Sequence, residues 1–360
     1  MQRHECLARL YTAYPSFKVD RPLRSLVRTS PWLYSLQLLV QRLGWHRAAE
    51  LLNWPTVESF DRWVAKQVEA CDVLVHLSSF GLHTLRQAKQ FGARIVCDRG
   101  SSHILYQDEI VADEYSCHGL QYRPIDSRIV EKELHEYAEA DLVTVPSTFA
   151  YRSFVEKGVT AQKLRKLPYG VDVSLFRPLP KEDDRFRVLF VGGYSIQKGI
   201  GYLFEAVRTL AQKGLVDVWL VGNASQEAKE ILRRNADIFT DKGFHPRAKL
   251  SWFYSQASVL VLPSIQEGLA LVQAQAMACG LPVIATHNTG AGDLYTNGVE
   301  GFIVPIRDPK AIRYRIEWML DNPVKRQEMG NAALRRALQL NGWNKYGDSA
   351  VSIYAELMNK

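Results

Sequence analysis

The stretch of sequence that decides the fold reads SVLVLPSIQEGLALVQAQAMACGLPVIA and occupies residues 258–285. The apolar run at 258–262 has the length and composition of a buried strand. Residues 269–278 then carry a helical pattern that ends at Gly280, and residues 281–285 form a second apolar run. Two buried strands joined by a short helix are typical of a right-handed βαβ unit in a parallel sheet.

The same alternation of strand and helix patterns continues on both sides of this stretch. In the second half of the chain, the pattern predicts strands at 187–191, 216–221 and 301–305 and helices at 200–210, 226–234 and 250–256. In the first half, it predicts strands at 72–77, 93–97 and 142–145 and helices at 84–91, 131–140 and 149–156. Residues 20–68 carry helical patterns and no strand signal. We therefore predict an α/β fold with two Rossmann-like domains that face each other across a cleft.

Length and composition narrow the class of protein. A chain of 360 residues is long enough for two domains, and 47% hydrophobic with 23% charged residues is ordinary for a globular protein. No apolar run approaches the roughly 20 residues that a membrane-spanning helix needs, and the first residues carry no secretory pattern. The five cysteines are odd in number and never spaced as C-x-x-C, which predicts free thiols in the cytoplasm.

The formal net charge of +7 favours an anionic partner, although simple solubility explains it as well. Its lysines and arginines are spread along the chain without a nucleic-acid-binding motif. We therefore predict no nucleic-acid partner.

Three segments of the second half follow predicted strands, where ligands of open parallel sheets bind. Residues 192–199 (GGYSIQKG) place two glycines and Lys198 at the start of a helix, which suits an anion; a tight turn with a surface lysine is the alternative. Glu267 and Gly268 place a carboxylate and free amides after the strand predicted at 258–262. The carboxylate can accept sugar hydroxyls, or it can merely complement the helix dipole. The third segment, 287–293, is a glycine-rich loop that is uninformative alone.

In this order, the motifs resemble the retaining family-four glycosyltransferases, which have the GT-B fold. The similarity lies in FVGG at 190–193, which Lys198 follows, in PSIQEG at 263–268 and in AMACGLPV at 276–283. The segment PYGVD at 168–172 resembles the junction between that family's two domains. The resemblance covers residues 90–360.

The resemblance implies three parts of the chain. Residues 1–178 would form the acceptor-side Rossmann-like domain and residues 179–340 the domain that binds a nucleotide sugar. Residues 341–360 would form a helix that crosses back and packs on the first domain. The first strand of the first domain, with its glycine-rich loop, is expected to be missing, because the sequence begins near what resembles the second strand, residues 7–12.

Carried over residue by residue, the resemblance implies a site for a nucleotide-diphosphate sugar that requires no metal or other cofactor. Lys198 matches the lysine that binds the diphosphate, and Glu267 matches the first glutamate of an E-x7-E motif that contacts the donor sugar. The remaining donor contacts are Gly192, Gly193, Gly268, Leu269, Ala270, Leu271 and Gln275. Two of these depart from the pattern. Gln275 replaces the second glutamate, and Gly193 stands where an arginine is often found.

In the first domain, CDRGSSH at 97–103 follows a predicted strand and resembles a segment of some bacterial members. We expect Arg99, Ser101 and Ser102 on the acceptor or phosphate side of the cleft. His103 is the third predicted catalytic residue beside Lys198 and Glu267, although a lone histidine is more often structural.

The resemblance thus predicts a retaining hexosyltransferase that moves a sugar from a nucleotide-diphosphate sugar to a hydroxyl of a glycan or lipid-linked acceptor. The alternative is an inactive or weakly active sugar-nucleotide-binding protein of the same fold, because Gly193, Gln275 and the missing strand depart from the family.

Residues 21–47, which end in His46 and Arg47, interleave arginines with leucines and tryptophans. This composition is typical of an interfacial amphipathic segment. It predicts weak peripheral contact of a cytoplasmic enzyme with the inner face of the membrane. The alternative is that these apolar residues pack on the sheet of the first domain.

Overall fold

A computed structural model of the chain describes residues 6–340 and 342–359, without the side chains of His46 and Arg47. Predictions for those two side chains, and for residues 1–5, 341 and 360, lie outside the described residues. The strands are β1 Leu10–Thr12, β2 Val27–Thr29, β3 Val73–Leu77, β4 Arg94–Asp98, β5 Leu142–Val145, β6 Leu164–Lys166, β7 Arg187–Val191, β8 Asp217–Val221, β9 Thr240–Asp241, β10 Val259–Leu262, β11 Val283–Thr286 and β12 Gly301–Val304. The helices are α1 Trp32–Arg42, α2 His46–Leu51, α3 Asn53–Ala65, α4 Leu82–Gln90, α5 Ile104–Cys117, α6 Ser127–Glu139, α7 Thr148–Glu156, α8 Ile200–Gln212, α9 Lys229–Arg234, α10 Leu250–Gln256, α11 Leu271–Ala278, α12 Ala291–Leu294, α13 Pro309–Asp321, α14 Pro323–Gln339 and α15 Gly342–Met358.

The second half of the chain forms a six-stranded parallel sheet in the order β12-β11-β10-β7-β8-β9. All residues of β7, β10 and β11 are buried, because helices cover both faces of the sheet; this is why these strands read as unbroken apolar runs. The chain leaves β7 for β8 on one side and reaches β10 on the other. The loops after β7 and β10 therefore diverge at the switch point where such sheets bind ligands.

The first half forms a four-stranded parallel sheet in the order β3-β4-β5-β6, with its own apolar core. The predicted helix at 131–140 begins earlier, at Ser127, because the Asp126 carboxylate accepts the amide of Arg128 at 3.0 Å and caps α6.

Helix α5 has no counterpart in the prediction, because part of its buried face is polar. Glu114 is fully buried and accepts hydrogen bonds from two residues of the other domain, Tyr202 Oη at 2.8 Å and Arg307 Nε at 2.6 Å. A search for an apolar face therefore passes over this helix.

Residues 7–12 do contain a strand, β1, but the sheet expected for it and the purely helical prediction for residues 20–68 are wrong. Strands β1 and β2 pair with each other in a separate two-stranded parallel sheet, so residues 7–12 do not contribute a strand to the four-stranded sheet. The strand at β2 also contradicts the purely helical reading of residues 20–68. Three-residue strands are too short to show the alternation that identifies a strand.

The last helix crosses back to the first domain, as predicted. Ala350, Tyr354 and Leu357 of α15 form one buried cluster with Val96 of β4 and with neighbouring apolar residues of the same domain. This contact joins the end of the chain to the four-stranded sheet of the first domain. The exact domain limits near residues 178 and 340 stay predictions. In the part of the chain that the structure describes, no helix is both long and apolar enough to span a bilayer.

Candidate active site

The loops at the carboxyl ends of β7, β8 and β10 approach one another so closely that three glycines are required. Gly192 and Gly222 have φ values of 144° and 152°, and a Cβ on Gly222 would lie 1.8 Å from the carbonyl oxygen of Gly192. Gly199 has a φ of 69°, and its Cβ would lie 2.1 Å from the carbonyl oxygen of Pro263. A side chain at any of these positions would strain the backbone or separate the loops.

Gly193 lies in open space by contrast, because the nearest heavy atom to a Cβ built there is the Asn223 carbonyl oxygen at 4.0 Å. Nothing steric requires a glycine at this position.

Lys198 and Glu267, which are 69 positions apart in the sequence, form an ion pair between Nζ and Oε1. Ser264 Oγ donates to the same carboxylate oxygen at 3.1 Å. The lysine side chain keeps 29% of its surface exposed and the glutamate 13%, so both face the cleft only in part. The pair offers a cation for a phosphate oxygen and an acceptor for a sugar hydroxyl, side by side.

The backbone amides of residues 267–270 fall into two groups, those with a hydrogen-bond acceptor and those without one. The amide of Glu267 donates to the Asn288 carbonyl at 2.9 Å, and that of Ala270 donates to the Thr289 carbonyl at 3.2 Å. Among the described residues, the amides of Gly268 and Leu269 have no acceptor. These two, with the start of α11 at Leu271, are the donors that remain for a ligand.

Gln275 lies on α11 and is buried, and its side-chain oxygen accepts a hydrogen bond from Tyr254 Oη at 2.9 Å. Its amide group can therefore act as a donor, which a glutamate at this position could not. Sequence reasoning missed Tyr254, because a buried tyrosine in a short helix carries no motif.

The predicted segment of the first domain meets these loops directly. Gln266 Nε2 donates to the hydroxyls of Ser101 and Ser102, both at 2.7 Å. Gly268 lies against Gly100, so that a Cβ on Gly268 would come within 1.9 Å of the carbonyl oxygen of Gly100. The two serines thus bridge the domains, and Gln266 is a second residue that the sequence did not single out.

Arg99 is held inside the first domain. Its guanidinium donates to Glu133 Oε1 at 2.8 Å, to Gln107 Oε1 at 2.8 Å and to the Ser102 carbonyl at 3.1 Å, and only 12% of its side chain is exposed. These bonds fix the shape of the 99–103 segment. A direct contact of Arg99 with phosphate or acceptor stays a prediction.

His103 caps the start of α5. Its Nδ1 accepts the amide of Leu105 at 3.3 Å, and its ring packs against Tyr137 and Phe154 with centroid distances of 5.1 and 4.9 Å. Burial, together with the charge of Arg99, lowers the pKa of His103 to about 4. The ring is therefore neutral at neutral pH, and because Nδ1 is the acceptor, the proton lies on Nε2.

This environment predicts that acidification destabilises the protein through His103. The folded pKa lies below the ordinary value of about 6.5, so the unfolded state takes up the proton first. The stability contributed by the neutral ring is present above pH 6.5 and is lost as the pH falls toward 4. His103→Asn keeps a capping oxygen without titrating, so its urea midpoint should fall less than that of the unaltered protein when the pH is lowered from about 7.5 to about 5. Equal losses would contradict the prediction, since buried His76 titrates in both proteins.

Two groups of side chains in the described part of the chain have residue types that bind metals. They are Glu58, Asp61 and His83, and His76, Cys97 and Glu136. In the first group, Lys132 Nζ forms ion pairs with both acids, with Glu58 at 2.9 Å and with Asp61. In the second, both carboxylate oxygens of Glu136 accept backbone amides, from Ser79 at 2.6 Å and Gly81 at 2.8 Å, and burial raises its pKa to about 8. Internal bonds thus account for both acidic groups.

Two facing Rossmann-like domains with a returning C-terminal helix define the GT-B class of fold. Sucrose-phosphate synthase from Thermosynechococcus elongatus is similar over 84% of this chain and 77% of its own, with a TM-score of 0.68 and 25% identity. Anabaena HepE, solved in complex with UDP, is similar over 84% of this chain and 82% of its own, with a TM-score of 0.66 and 19% identity.

Residues 174–336, which make up most of the second domain, match the family model described as glycosyl transferases group 1. A D-inositol 3-phosphate glycosyltransferase of Catenulispora acidiphila is 28% identical over 220 residues, which cover 55% of this chain and 52% of the relative. The capsular polysaccharide biosynthesis glycosyltransferase CapM of Staphylococcus aureus is 32% identical over 161 residues, which cover 43% and 42%. The chain thus spans about half the length of the curated relatives it matches.

Proposed function

We propose that the protein is a retaining hexosyltransferase that transfers a sugar from a nucleotide-diphosphate sugar to a hydroxyl of a glycan or lipid-linked acceptor. The observation that carries this proposal is the Lys198–Glu267 pair at the switch point of the second sheet, beside the free amides of Gly268 and Leu269. The family of the second domain and the UDP bound to the structurally similar HepE support it.

In this proposal Lys198 and the N-terminus of α8 stabilise the negative charge that develops on the leaving diphosphate. Glu267 accepts hydroxyl protons of the donor sugar. Lys198 and Ser264 engage one oxygen of its carboxylate and leave the other for the sugar. In this proposal Glu267 positions the sugar, and the route requires no enzyme nucleophile. Gln275 takes the place of the family's ribose-binding glutamate as an uncharged hydrogen-bonding group.

The acceptor hydroxyl then attacks the anomeric carbon on the face from which the diphosphate departs. The bond from the anomeric carbon to the phosphate oxygen breaks, the bond to the acceptor oxygen forms, and the acceptor proton passes to the departing phosphate. This route retains the anomeric configuration without a metal. His103, as the neutral Nε2–H tautomer, would donate a hydrogen bond to the sugar or phosphate, with Arg99, Ser101 and Ser102 holding its segment.

Calorimetry with UDP- and GDP-sugars, together with a donor-hydrolysis assay, tests the proposal. Binding of one donor with release of the nucleotide diphosphate is the expected result. Binding without any turnover would favour a sugar-nucleotide-binding protein, to which Gly193 and Gln275 also point. Failure to bind any nucleotide sugar would refute both functions.

We further propose that the enzyme contacts the inner face of the membrane through α1. No residue of this helix is buried, and none belongs to the apolar core of the four-stranded sheet. Trp32, Leu36, Leu39 and Leu43 recur at helical spacing on one side and are 83%, 45%, 54% and 58% exposed. Residues 9–47 contain seven lysines and arginines and one aspartate, a net charge of +6 out of +7 for the chain. An apolar stripe with this charge suits an anionic lipid surface.

Co-sedimentation with vesicles measures this contact. We expect binding to phosphatidylglycerol-containing vesicles that weakens as salt rises, with each basic residue near the surface contributing about 1 kcal/mol. Leu36→Ser with Leu39→Ser should reduce the bound fraction several-fold. Leu338→Ser, which changes a similarly exposed leucine on α14, should leave it unchanged. Equal recovery in the supernatant with neutral and anionic vesicles at low salt would exclude the contact.

A further inference from the structure

A cavity of about 450 Å³ lies between the two domains, apart from the Lys198–Glu267 pair. Helix α7 of the first domain forms one wall, and the loop at 287–293 after β11 forms the other. This glycine-rich loop holds the donor-site segment through its backbone carbonyls, and no donor contact is assigned to its side chains. The volume lies within the range of about 300–1,000 Å³ that is usual for small-molecule sites.

The cavity is joined to the donor site through Asn288, which is one of its lining residues. The carbonyl oxygen of Asn288 accepts the amide of Glu267, and its Nδ2 donates to the carbonyl of Ile265, both at 2.9 Å. The loop that carries the donor carboxylate is thus braced by the wall of the cavity. A molecule in the cavity would lie beside Asn288, whose carbonyl oxygen holds the amide of Glu267.

The two walls are held together by a polar clamp across the domains. Asp293 accepts the amide and the hydroxyl of Thr148, both at 2.7 Å, and also Lys166 Nζ at 3.0 Å. These are charge-assisted bonds, and the Asp293 side chain is only 8% exposed. The cavity is therefore preformed where the domains meet.

The lining combines aromatic rings with charged side chains of both signs. Tyr106 and Phe149 pack edge to face with centroids 5.7 Å apart. Arg152 and Glu156 lie on the same wall, and their side chains form no ion pair or side-chain hydrogen bond within the described residues. Exposed His287 lies on the opposite wall. Aromatic rings can pack against the C–H face of a sugar, while Arg, Glu and His satisfy its hydroxyls.

Other ligand classes fit this lining less well. A strongly anionic ligand would meet the carboxylate of Glu156, and a purely apolar ligand would offer no hydrogen bonds to Arg152 and Glu156. A neutral saccharide offers hydroxyls to both charged side chains and a C–H face to the aromatic pair.

We infer that this cavity binds a neutral sugar unit of the acceptor, so that the acceptor is a glycan and extends past the Glu267 loop into the space between α7 and residues 287–293. This inference rests on the proposed function, because it names the acceptor class of that same reaction. It assigns Phe149 and Arg152 to acceptor recognition.

Saturation-transfer NMR with maltose, cellobiose and chitobiose as probes tests the inference, with glucose 6-phosphate as the anionic comparison. At least one neutral disaccharide should bind the full chain, and its affinity should fall about five-fold or more in Arg152→Ala and in Phe149→Ala. Arg335→Ala removes an exposed arginine of α14 and should bind like the unaltered protein. Because Arg152 is exposed, its variant is expected to fold even if Phe149→Ala does not.

UDP- and GDP-sugar binding by the same unaltered samples separates the two ways of failing. If no nucleotide sugar binds, the proposed function is wrong. If a donor binds but none of the disaccharides does, or only glucose 6-phosphate binds, the cavity assignment is wrong. Disaccharide affinity that is unchanged in Arg152→Ala also overturns it.

Discussion

Lys198→Ala is expected to lower kcat by two to three orders of magnitude while the protein stays folded. Lys198 Nζ is the cation paired with Glu267 at the proposed donor site, and Lys198 precedes α8, whose N-terminus points at the same region. Loss of one preorganised group that stabilises a developing oxyanion costs about 10²–10³ in turnover. The ion pair itself is partly exposed, so its removal changes the free energy of unfolding far less than it changes the barrier.

The measurement is initial-rate kinetics with the donor found by calorimetry, together with a thermal melt. Lys213→Ala is the matched control, because it removes an exposed lysine at the other end of α8. We expect the control to retain full turnover and both variants to melt near the unaltered protein. Full activity of Lys198→Ala with its true donor would remove the basis of the proposed mechanism.

The second domain was predictable because its strands obey a simple physical rule. Strands β7, β10 and β11 are buried on both faces, so each must be an unbroken apolar run. Each ends at a glycine, proline or polar residue, which marks its end in the sequence. The Lys198–Glu267 contact depends in addition on β7 and β10 being neighbours in the sheet. Periodicity does not give that strand order; the resemblance to a known family assigned both residues to one donor site without it.

The start of the chain was not predictable in the same way. Strands β1 and β2 are three residues long, and of these six residues only Val27 is buried, so no alternation marks them. The stripe on α1 does show helical periodicity, but periodicity cannot say what the stripe faces. A stripe that packs on a sheet and a stripe that faces a lipid surface have the same sequence pattern.

Contacts between the domains are the other part that the sequence did not disclose. The buried face of α5 carries Glu114, which binds Tyr202 and Arg307 of the second domain, and the Gln266 side chain binds two serines of the first. Polar groups that pair across a domain interface look like surface residues in a sequence, because their partners lie more than eighty positions away. Such polar residues would be exposed on each domain alone. They become wholly or partly buried when the two domains meet.

Gly268→Ala is expected to lower turnover by about a hundred-fold or more without unfolding either domain. Gly268 does not have the left-handed φ that favours glycine, so alanine is compatible with its own backbone. Its Cβ would, however, lie 1.9 Å from the carbonyl oxygen of Gly100 and 2.8 Å from the Cα of Ser101, which are backbone atoms of the other domain. Neither can move without shifting the 99–103 segment, and a displacement of about 1 Å at a reaction centre can cost 10²-fold in rate.

Small-angle scattering and kinetics together identify the cause of the loss. If the methyl group forces the domains apart at Gly268, the radius of gyration should rise while the affinity for the nucleotide diphosphate, which the second domain binds by itself in this mechanism, changes much less than kcat. Gly201→Ala is the matched control: it also adds a methyl group at the domain interface, but at an ordinary 3.6 Å from His118 Cε1, and should leave both kcat and the radius unchanged. Full turnover of Gly268→Ala at an unchanged radius would show that catalysis does not need the close approach of Gly268 to Gly100. Loss of turnover in both variants would point instead to a general sensitivity of the interface to added volume.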